Sequence, residues 1–200
     1  MILDAENGQK AGSLLFVGGA QFAIFMIVAE AVYPKYSVSA NYISDLGVWG
    51  QPSAPIFNPS IILFGLLVLT SAYFFQRALA RRGFSVILAL TGLGALLVGF
   101  FPENTIVVIG VPVIHSIGAL TSFIFGGLAA ISSYRVTKAP LNYFSAILGV
   151  SSLLALMLLL STGSSGCLGL GVGGMERMIV YPTLVWTICF GGYLMASEPK

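Results

Sequence analysis

Few residues in this chain could perform chemistry, and His115 is its one histidine. Ser44, Asp45 and Glu103 precede His115, and Glu176 follows it. A histidine beside a carboxylate can act as a general base, and a histidine can also bind haem iron. Ser, Asp and His are the residue types of a hydrolase triad, but no nucleophile-elbow pattern surrounds the serines near Asp45. Acid–base, haem and purely structural roles therefore stay open for His115.

The same residue types argue against a metal site. Zinc sites use several histidines or cysteines at short spacing, and this chain has one histidine and two cysteines, Cys167 and Cys189. At about 1.5 Å per helical residue the two cysteines should lie too far apart to form a disulfide. We therefore expect no metal ion, no disulfide and no resident cofactor, with haem at His115 kept as an alternative.

Very apolar segments must position these residues. The chain of 200 residues is 57% hydrophobic and only 8% charged, whereas soluble domains are about 25% charged. Six stretches hold no Asp, Glu, Lys or Arg: 11–29, 46–76, 83–102, 104–134, 139–175 and 178–197. Because about 20 apolar residues cross a bilayer as a helix, we predict an all-α polytopic membrane protein. Residues 1–200 form a single six-transmembrane-helix domain in this interpretation.

The basic residues predict how the helices are oriented. We place helices at 11–33, 57–78, 84–101, 112–134, 140–162 and 174–196. Seven basic residues then share one side: Lys10, Arg77, Arg81, Arg82, Arg135, Lys138 and Lys200. Loops rich in Lys and Arg stay in the cytoplasm, which predicts a multi-pass protein of the cell membrane with both termini cytoplasmic. The net charge of +2 is too small and scattered for nucleic-acid binding.

The other side gathers the polar residues that we predict to form an outward-facing pocket. Its ligand-binding residues would be Glu30, Ser39, Asn41, Ser44, Asp45, Glu103, His115, Glu176, Arg177 and Tyr181. Ionisable groups near hydrocarbon usually pair or line a wet cavity. The dipole of the first helix disfavours a carboxylate at its C-terminal end, so we predict that Glu30 pairs with Arg177. The alternative is that both are unrelated charges that reach water.

Two loops complete the predicted pocket. Residues 36–49 are rich in aromatic and capping residues, and we expect them to form a short interfacial helix that covers the bundle. Helices one, three, four and six would supply the walls. The glycine-rich stretch 163–174 lacks the lysine of a phosphate-binding loop, so we predict an outer connection there.

Several motifs resemble the prokaryotic membrane family known as domain of unknown function 998. They are Tyr33-Pro34, Ser37-Val-Ser-Ala-Asn-Tyr-Ile-Ser-Asp-Leu-Gly47, Phe57-Asn-Pro-Ser60, Phe101-Pro-Glu-Asn104, His115-Ser-Ile-Gly-Ala119 and Glu176-Arg-Met-Ile-Val-Tyr-Pro182. Ile43-Ser-Asp-Leu-Gly47 and the His115 motif also resemble, more distantly, the six-helix superfamily of DRAM autophagy modulators and GPI-lipid-remodelling proteins. That second resemblance implies a lipid-related role. Ceramidase-like zinc hydrolases need several histidines, which this chain does not have.

Our leading functional hypothesis is the binding or handling of a membrane lipid at the outer leaflet. Arg177 and Lys35 would meet a head-group phosphate. A non-catalytic accessory or structural subunit is the main alternative, and a haem protein is a further one. A small transporter is disfavoured because the helix centres carry no charge. Whether the chain is an enzyme stays open, as do a homo-oligomer and other membrane proteins as partners.

Overall fold

The computed structural model of the chain describes residues 4–108, 111–162 and 168–196. Six long helices make up nearly all of it: α1 Ala5–Val32, α2 Ala54–Leu79, α3 Arg82–Phe100, α4 Val113–Ser132, α5 Leu141–Thr162 and α6 Gly171–Met195. All six are long and apolar enough to cross a membrane. The predicted all-helical, six-span fold is confirmed. A two-residue antiparallel pair, β1 Val107–Val108 and β2 Val111–Pro112, precedes α4, and a 3₁₀ turn, Ser133–Arg135, follows it.

The helices form a closed ring in chain order. Each helix packs against the next, and α6 returns to pack against α1. Alternating helices bring six basic residues to what we call the basic end: Lys10, Arg77, Arg81, Arg82, Arg135 and Lys138. The opposite, acidic end holds Glu30, Asp45, Glu103 and Glu176. Lys200 lies outside the described residues, and the cytoplasmic location of the basic end stays a prediction.

Neighbouring helices approach each other at glycines. Four glycine pairs bring backbones into contact: Gly12 with Gly191, Gly65 with Gly92, Gly94 with Gly118, and Gly127 with Gly149. In each pair, a Cβ atom added to one member would lie 2.5 to 2.8 Å from the carbonyl oxygen of the other. Small residues at such crossings are typical of membrane helices, which gain dispersion contacts from close packing.

Helix α1 begins before the predicted residue 11 because Asp4 caps it. The Asp4 side chain accepts a hydrogen bond from the Asn7 backbone N–H at 3.0 Å, so the polar start of the chain is helical. The Asp4 N–H also donates to the carbonyl oxygen of Ala78 at 3.3 Å, which ties the start of α1 to the end of α2. Pro34 follows α1 closely and disfavours the helical conformation of the residue before it.

Helix α6 also begins earlier than predicted, so the glycine-rich stretch is only partly a loop. Residues 171–174 are helical because the chain segment before α2 packs directly on their bare backbone. A Cβ atom at Gly173 would collide with the carbonyl oxygen of Asn41. The Gly173 N–H donates instead to the Ser39 carbonyl oxygen at 3.0 Å. Residues 163–167 lie outside the described residues. Because Cys167 is one of them, the predicted absence of a disulfide stays a prediction.

The segment between α1 and α2 contains a single 3₁₀ turn, Ser44–Gly47, in place of a longer helix. Side chains hold the rest of the segment in turns, because Asn41 accepts from the Ser37 N–H at 3.0 Å and Asp45 accepts from the Tyr42 N–H at 3.1 Å. Such local bonds compete with helical ones. The location of this segment at a membrane interface stays a prediction.

Candidate functional site

Arg177 is the centre of a polar region at the acidic end that we call the clasp. The clasp consists of Glu30, Tyr36, Val38, Asn41, Gly173 and Arg177. One terminal nitrogen of the guanidinium, Nη2, pairs with the Glu30 carboxylate and donates to the Tyr36 hydroxyl at 2.7 Å. The other, Nη1, donates to three carbonyl oxygens, those of Gly173 at 2.9 Å, Val38 at 3.0 Å and Asn41 at 3.4 Å. The predicted Glu30–Arg177 pair, which joins α1 to α6, is confirmed.

The clasp is buried, and both terminal nitrogens of Arg177 have partners, whereas its Nε is buried without a hydrogen-bond partner. The Arg177 side chain is 5% exposed and that of Glu30 is 18% exposed. Burial raises the pKa of Tyr36 to about 12, although the hydrogen bond and charge of Arg177 act in the opposite direction. The guanidinium also lies 5.5 Å from the centre of the Tyr36 ring, within the range of a cation–π contact. These contacts use both terminal nitrogens of Arg177 within the protein.

Two further predicted site residues, Ser39 and Asp45, hold the segment before α2 in place. Asp45 accepts from the Asn41 side-chain amide at 2.9 Å. The Ser39 hydroxyl donates to the carbonyl oxygen of Leu170, just before α6, at 2.8 Å. Tyr181 stands apart, 40% exposed on α6. The bonds of Ser39 and Asp45 therefore support the clasp. Tyr181 lies outside the clasp and outside the second polar region, which is described next.

A second polar region, which we call the polar cluster, contains Ser44, Glu103, His115 and Glu176. The Ser44 hydroxyl donates to Glu103 Oε1 at 2.6 Å, and His115 Nε2 lies 3.6 Å from the same oxygen. The Oε2 atom of Glu176 accepts from the backbone N–H of Ile43. Four chain segments thus meet here: the 3₁₀ turn, the end of α3, the start of α4 and the start of α6.

The tautomer of His115 follows from its partners. Its Nδ1 atom lies 3.1 Å from the carbonyl oxygen of Phe101, which can only accept a hydrogen bond. Nδ1 must therefore carry a hydrogen, and Nε2 is the nitrogen that can gain or lose a proton. Nε2 faces Glu103 Oε1 at 3.6 Å, so a protonated imidazole would form an ion pair with this carboxylate without a direct hydrogen bond.

The polar cluster lies where two cavities meet. One is an open groove of about 220 Å³, whose walls are apolar residues of α4 and α5: Ala119, Leu120, Phe123, Leu156, Leu159 and Leu160. The other is an interior cavity of about 60 Å³ that extends between α2, α3, α4 and α6 and is mostly apolar. Ser44, His115 and Glu176 line both cavities. The cluster therefore presents polar atoms to the inner end of an apolar groove.

Sequence reasoning missed the contribution of α5. The predicted pocket used helices one, three, four and six, whereas α5 supplies Leu156, Leu159 and Leu160 to one groove wall. Apolar leucines that face a groove have the same sequence signature as leucines that face lipid, so no pattern distinguished them. Seven of the ten predicted residues also divide between the clasp and the polar cluster, because Glu176 and Arg177 point to different neighbours.

No group of three His, Cys, Asp or Glu side chains lies close enough to hold a metal ion within residues 4–108, 111–162 and 168–196. The chemistry of the polar cluster is therefore described by its own donors and acceptors. The cluster can accept hydrogen bonds at carboxyl oxygens and can place a protonated His115 beside Glu103, whereas the hydroxyl hydrogen of Ser44 is already donated to Glu103.

A sequence profile of the family described as "Protein of unknown function (DUF998)" matches residues 16–193. The chain belongs to this family. The matched residues include the clasp, the polar cluster and both groove walls. No curated protein and no solved structure matches the chain. The resemblance to the DRAM superfamily stays a prediction.

Proposed function

We propose that this DUF998 protein binds a membrane amphiphile in the groove between α4 and α5. The apolar tail lies along the groove walls, and the head group lies against the polar cluster. The observation that carries the proposal is the meeting of an open apolar groove with buried polar side chains at its inner end. Amphiphiles are the molecules that match both parts at once. The positive-inside rule would place this groove in the outer leaflet.

The head group is the part of the ligand that provides selectivity. A tail that leaves the bilayer for a groove exchanges one apolar environment for another, so it gains little from the hydrophobic effect. Polar contacts in a low-dielectric site are worth more, because water does not compete for them. We therefore assign recognition to the polar cluster and orientation of the tail to the leucines of α4 and α5.

From the sequence we predicted that Arg177 and Lys35 contact a head-group phosphate, and the proposal assigns the head group to other residues. The terminal nitrogens of Arg177 are occupied by Glu30, Tyr36 and three carbonyl oxygens. Lys35 is exposed and does not line the groove. The head group is accordingly assigned to the polar cluster and not to these two cations.

A substitution that fills the groove tests the proposal. Leu160 lines the groove and is 64% exposed, whereas Leu154, on the same helix, is 56% exposed and does not line it. We expect Leu160→Trp to lower the amount of co-purified lipid by about tenfold, which corresponds to about 1.4 kcal/mol. Leu154→Trp should leave it unchanged. The measurement is native mass spectrometry of protein extracted in a mild detergent.

Two results would contradict the proposal. Equal lipid retention by Leu160→Trp, Leu154→Trp and the parent would show that the groove holds no ligand. A parent protein that retains no lipid and instead purifies in a stoichiometric complex would favour the accessory-subunit alternative. Melting temperatures of both variants should match the parent, because both side chains point away from the core.

A further inference from the structure

The balance of charges at the polar cluster restricts the head group. Two carboxylates, Glu103 and Glu176, line the groove together with one imidazole, His115. None of the described residues that line the groove is a lysine or an arginine. The nearest guanidinium in sequence, Arg177, is committed to Glu30 in the clasp. The groove therefore presents carboxyl oxygens at the point where a head group would lie, with no lysine or arginine among the described lining residues.

Glu176 is a largely buried residue whose carboxyl group has one oxygen open to a cavity. Glu176 is only 6% exposed, and its Oε2 atom accepts from the Ile43 N–H. Among the described residues, no donor lies within hydrogen-bond distance of its second oxygen. Glu176 lines both the groove and the interior cavity. The second oxygen is an acceptor that the described residues leave without a donor, and the cavities give a donor from outside the chain access to it.

We infer that the amphiphile carries a primary ammonium head group, which donates to Glu176 and Glu103. This inference rests on the proposed function. An ammonium offers three N–H donors and one positive charge, so it can satisfy the open oxygen of Glu176 and compensate the carboxylates. A phosphate brings acceptor oxygens and negative charge, so it would not supply donors to the carboxyl oxygens of Glu103 and Glu176 and would be repelled wherever these are ionised. A simple alcohol offers a single O–H donor and no charge.

A matched series of single-chain probes tests the head group. Dodecylamine, dodecanol and dodecyl phosphate share one tail, and the amine is protonated at neutral pH because aliphatic amines have a pKa near about 10. The full chain in mild detergent is exposed to an equimolar mixture, and adducts are counted by native mass spectrometry. We expect dodecylamine adducts to exceed each of the other two by about tenfold or more, as for a charge-assisted hydrogen bond.

Variants separate the head-group claim from the groove claim. Glu176→Gln should lower dodecylamine adducts about tenfold and leave dodecanol adducts unchanged, because the amide can still accept from Ile43. Glu103→Gln, which keeps an acceptor for Ser44, provides an independent second variant. Leu160→Trp should lower the adducts of all probes that bind. Melting curves of each variant establish that it is folded.

The outcomes distinguish the two proposals. Preference for dodecyl phosphate or dodecanol, with all binding lost in Leu160→Trp, would overturn the ammonium inference and leave the groove intact. Unchanged dodecylamine binding in both glutamine variants would overturn it as well. If Leu160→Trp bound every probe as the parent does, the proposed groove function would fail together with the inference.

Discussion

The clasp and the polar cluster begin from adjacent residues of α6, Arg177 and Glu176, yet they use their polar groups differently. Both terminal nitrogens of Arg177 are paired within the protein, with a carboxylate, a hydroxyl and three carbonyl oxygens. Glu176 has one backbone donor, from Ile43, and faces two cavities. The free Nε of Arg177 is buried and lines neither cavity, whereas the free oxygen of Glu176 belongs to a residue that lines both. The clasp thus joins α1 to α6, and the polar cluster is the region that a ligand can reach.

The largest expected effect comes from Arg177→Met, which removes the cation of the clasp. Loss of one partner from a buried ion pair lowers the free energy of unfolding by about 3–5 kcal/mol, because the remaining charge is left uncompensated. Unfolding in detergent, followed by circular dichroism, measures the change. Glu176→Gln, one residue away, should change the free energy of unfolding by less than about 1 kcal/mol because the Ile43 N–H keeps an acceptor.

An exposed pair provides the control for this comparison. On the surface, Lys10 Nζ lies 2.6 Å from Glu6 Oε1, and the two side chains are 49% and 78% exposed. Lys10→Met should alter the free energy of unfolding by less than about 1 kcal/mol. Similar losses for Arg177→Met and Lys10→Met would show that the clasp does not hold α1 to α6.

A smaller effect is expected from Gly173→Ala, which places a methyl group under the clasp. The added Cβ atom would collide with the carbonyl oxygen of Asn41, which the guanidinium also contacts. Overpacking of this kind costs about 1–3 kcal/mol of unfolding free energy. Gly192→Ala is the matched control on the same helix, because nothing lies within 4 Å of its added Cβ atom. Equal melting temperatures for the two variants would contradict the close packing described for the clasp.

The smallest effect is a dependence of stability on alkaline pH. Tyr36 releases its proton near pH 10 in the unfolded chain, whereas burial raises its pKa to about 12 in the folded protein. Its contribution to stability is therefore complete below pH 10 and is lost as the pH rises from 10 to 12. The melting temperature of the parent should fall more steeply over this interval than that of Tyr36→Phe. Parallel curves would place Tyr36 outside the clasp.

Much of the fold could be predicted from where the charges are absent. The six charge-free stretches correspond to the six helices, because a charged residue in hydrocarbon is costly. The Glu30–Arg177 pair was predictable for the same reason, since each charge at that depth needs a partner. The start of α6 was not predictable, because glycine runs usually break helices, and here residues 171–174 are helical beneath a packed neighbouring segment.

The division of the site into two regions could not be read from the sequence. Glu176 and Arg177 are adjacent, so composition groups them, but neighbouring helix positions are about 100° apart around the axis. That rotation directs Arg177 toward α1 and Glu176 toward the cluster with Glu103 and His115. Arg177, which we predicted to contact a head-group phosphate, is therefore a structural residue of the clasp. Three leucines of α5, which the prediction did not include, line the groove.

The contact between Gly127 and Gly149 has a consequence for what the groove can admit. A methyl group at Gly149 would lie 2.5 Å from the Gly127 carbonyl oxygen, so α4 and α5 touch there with no side chain between them. This close approach therefore limits how far apart α4 and α5 stand along the groove, and with it the width of a ligand that the groove can admit. A bulkier residue at Gly149 would push α4 and α5 apart. The groove would then admit thicker ligands, such as branched or two-chain amphiphiles.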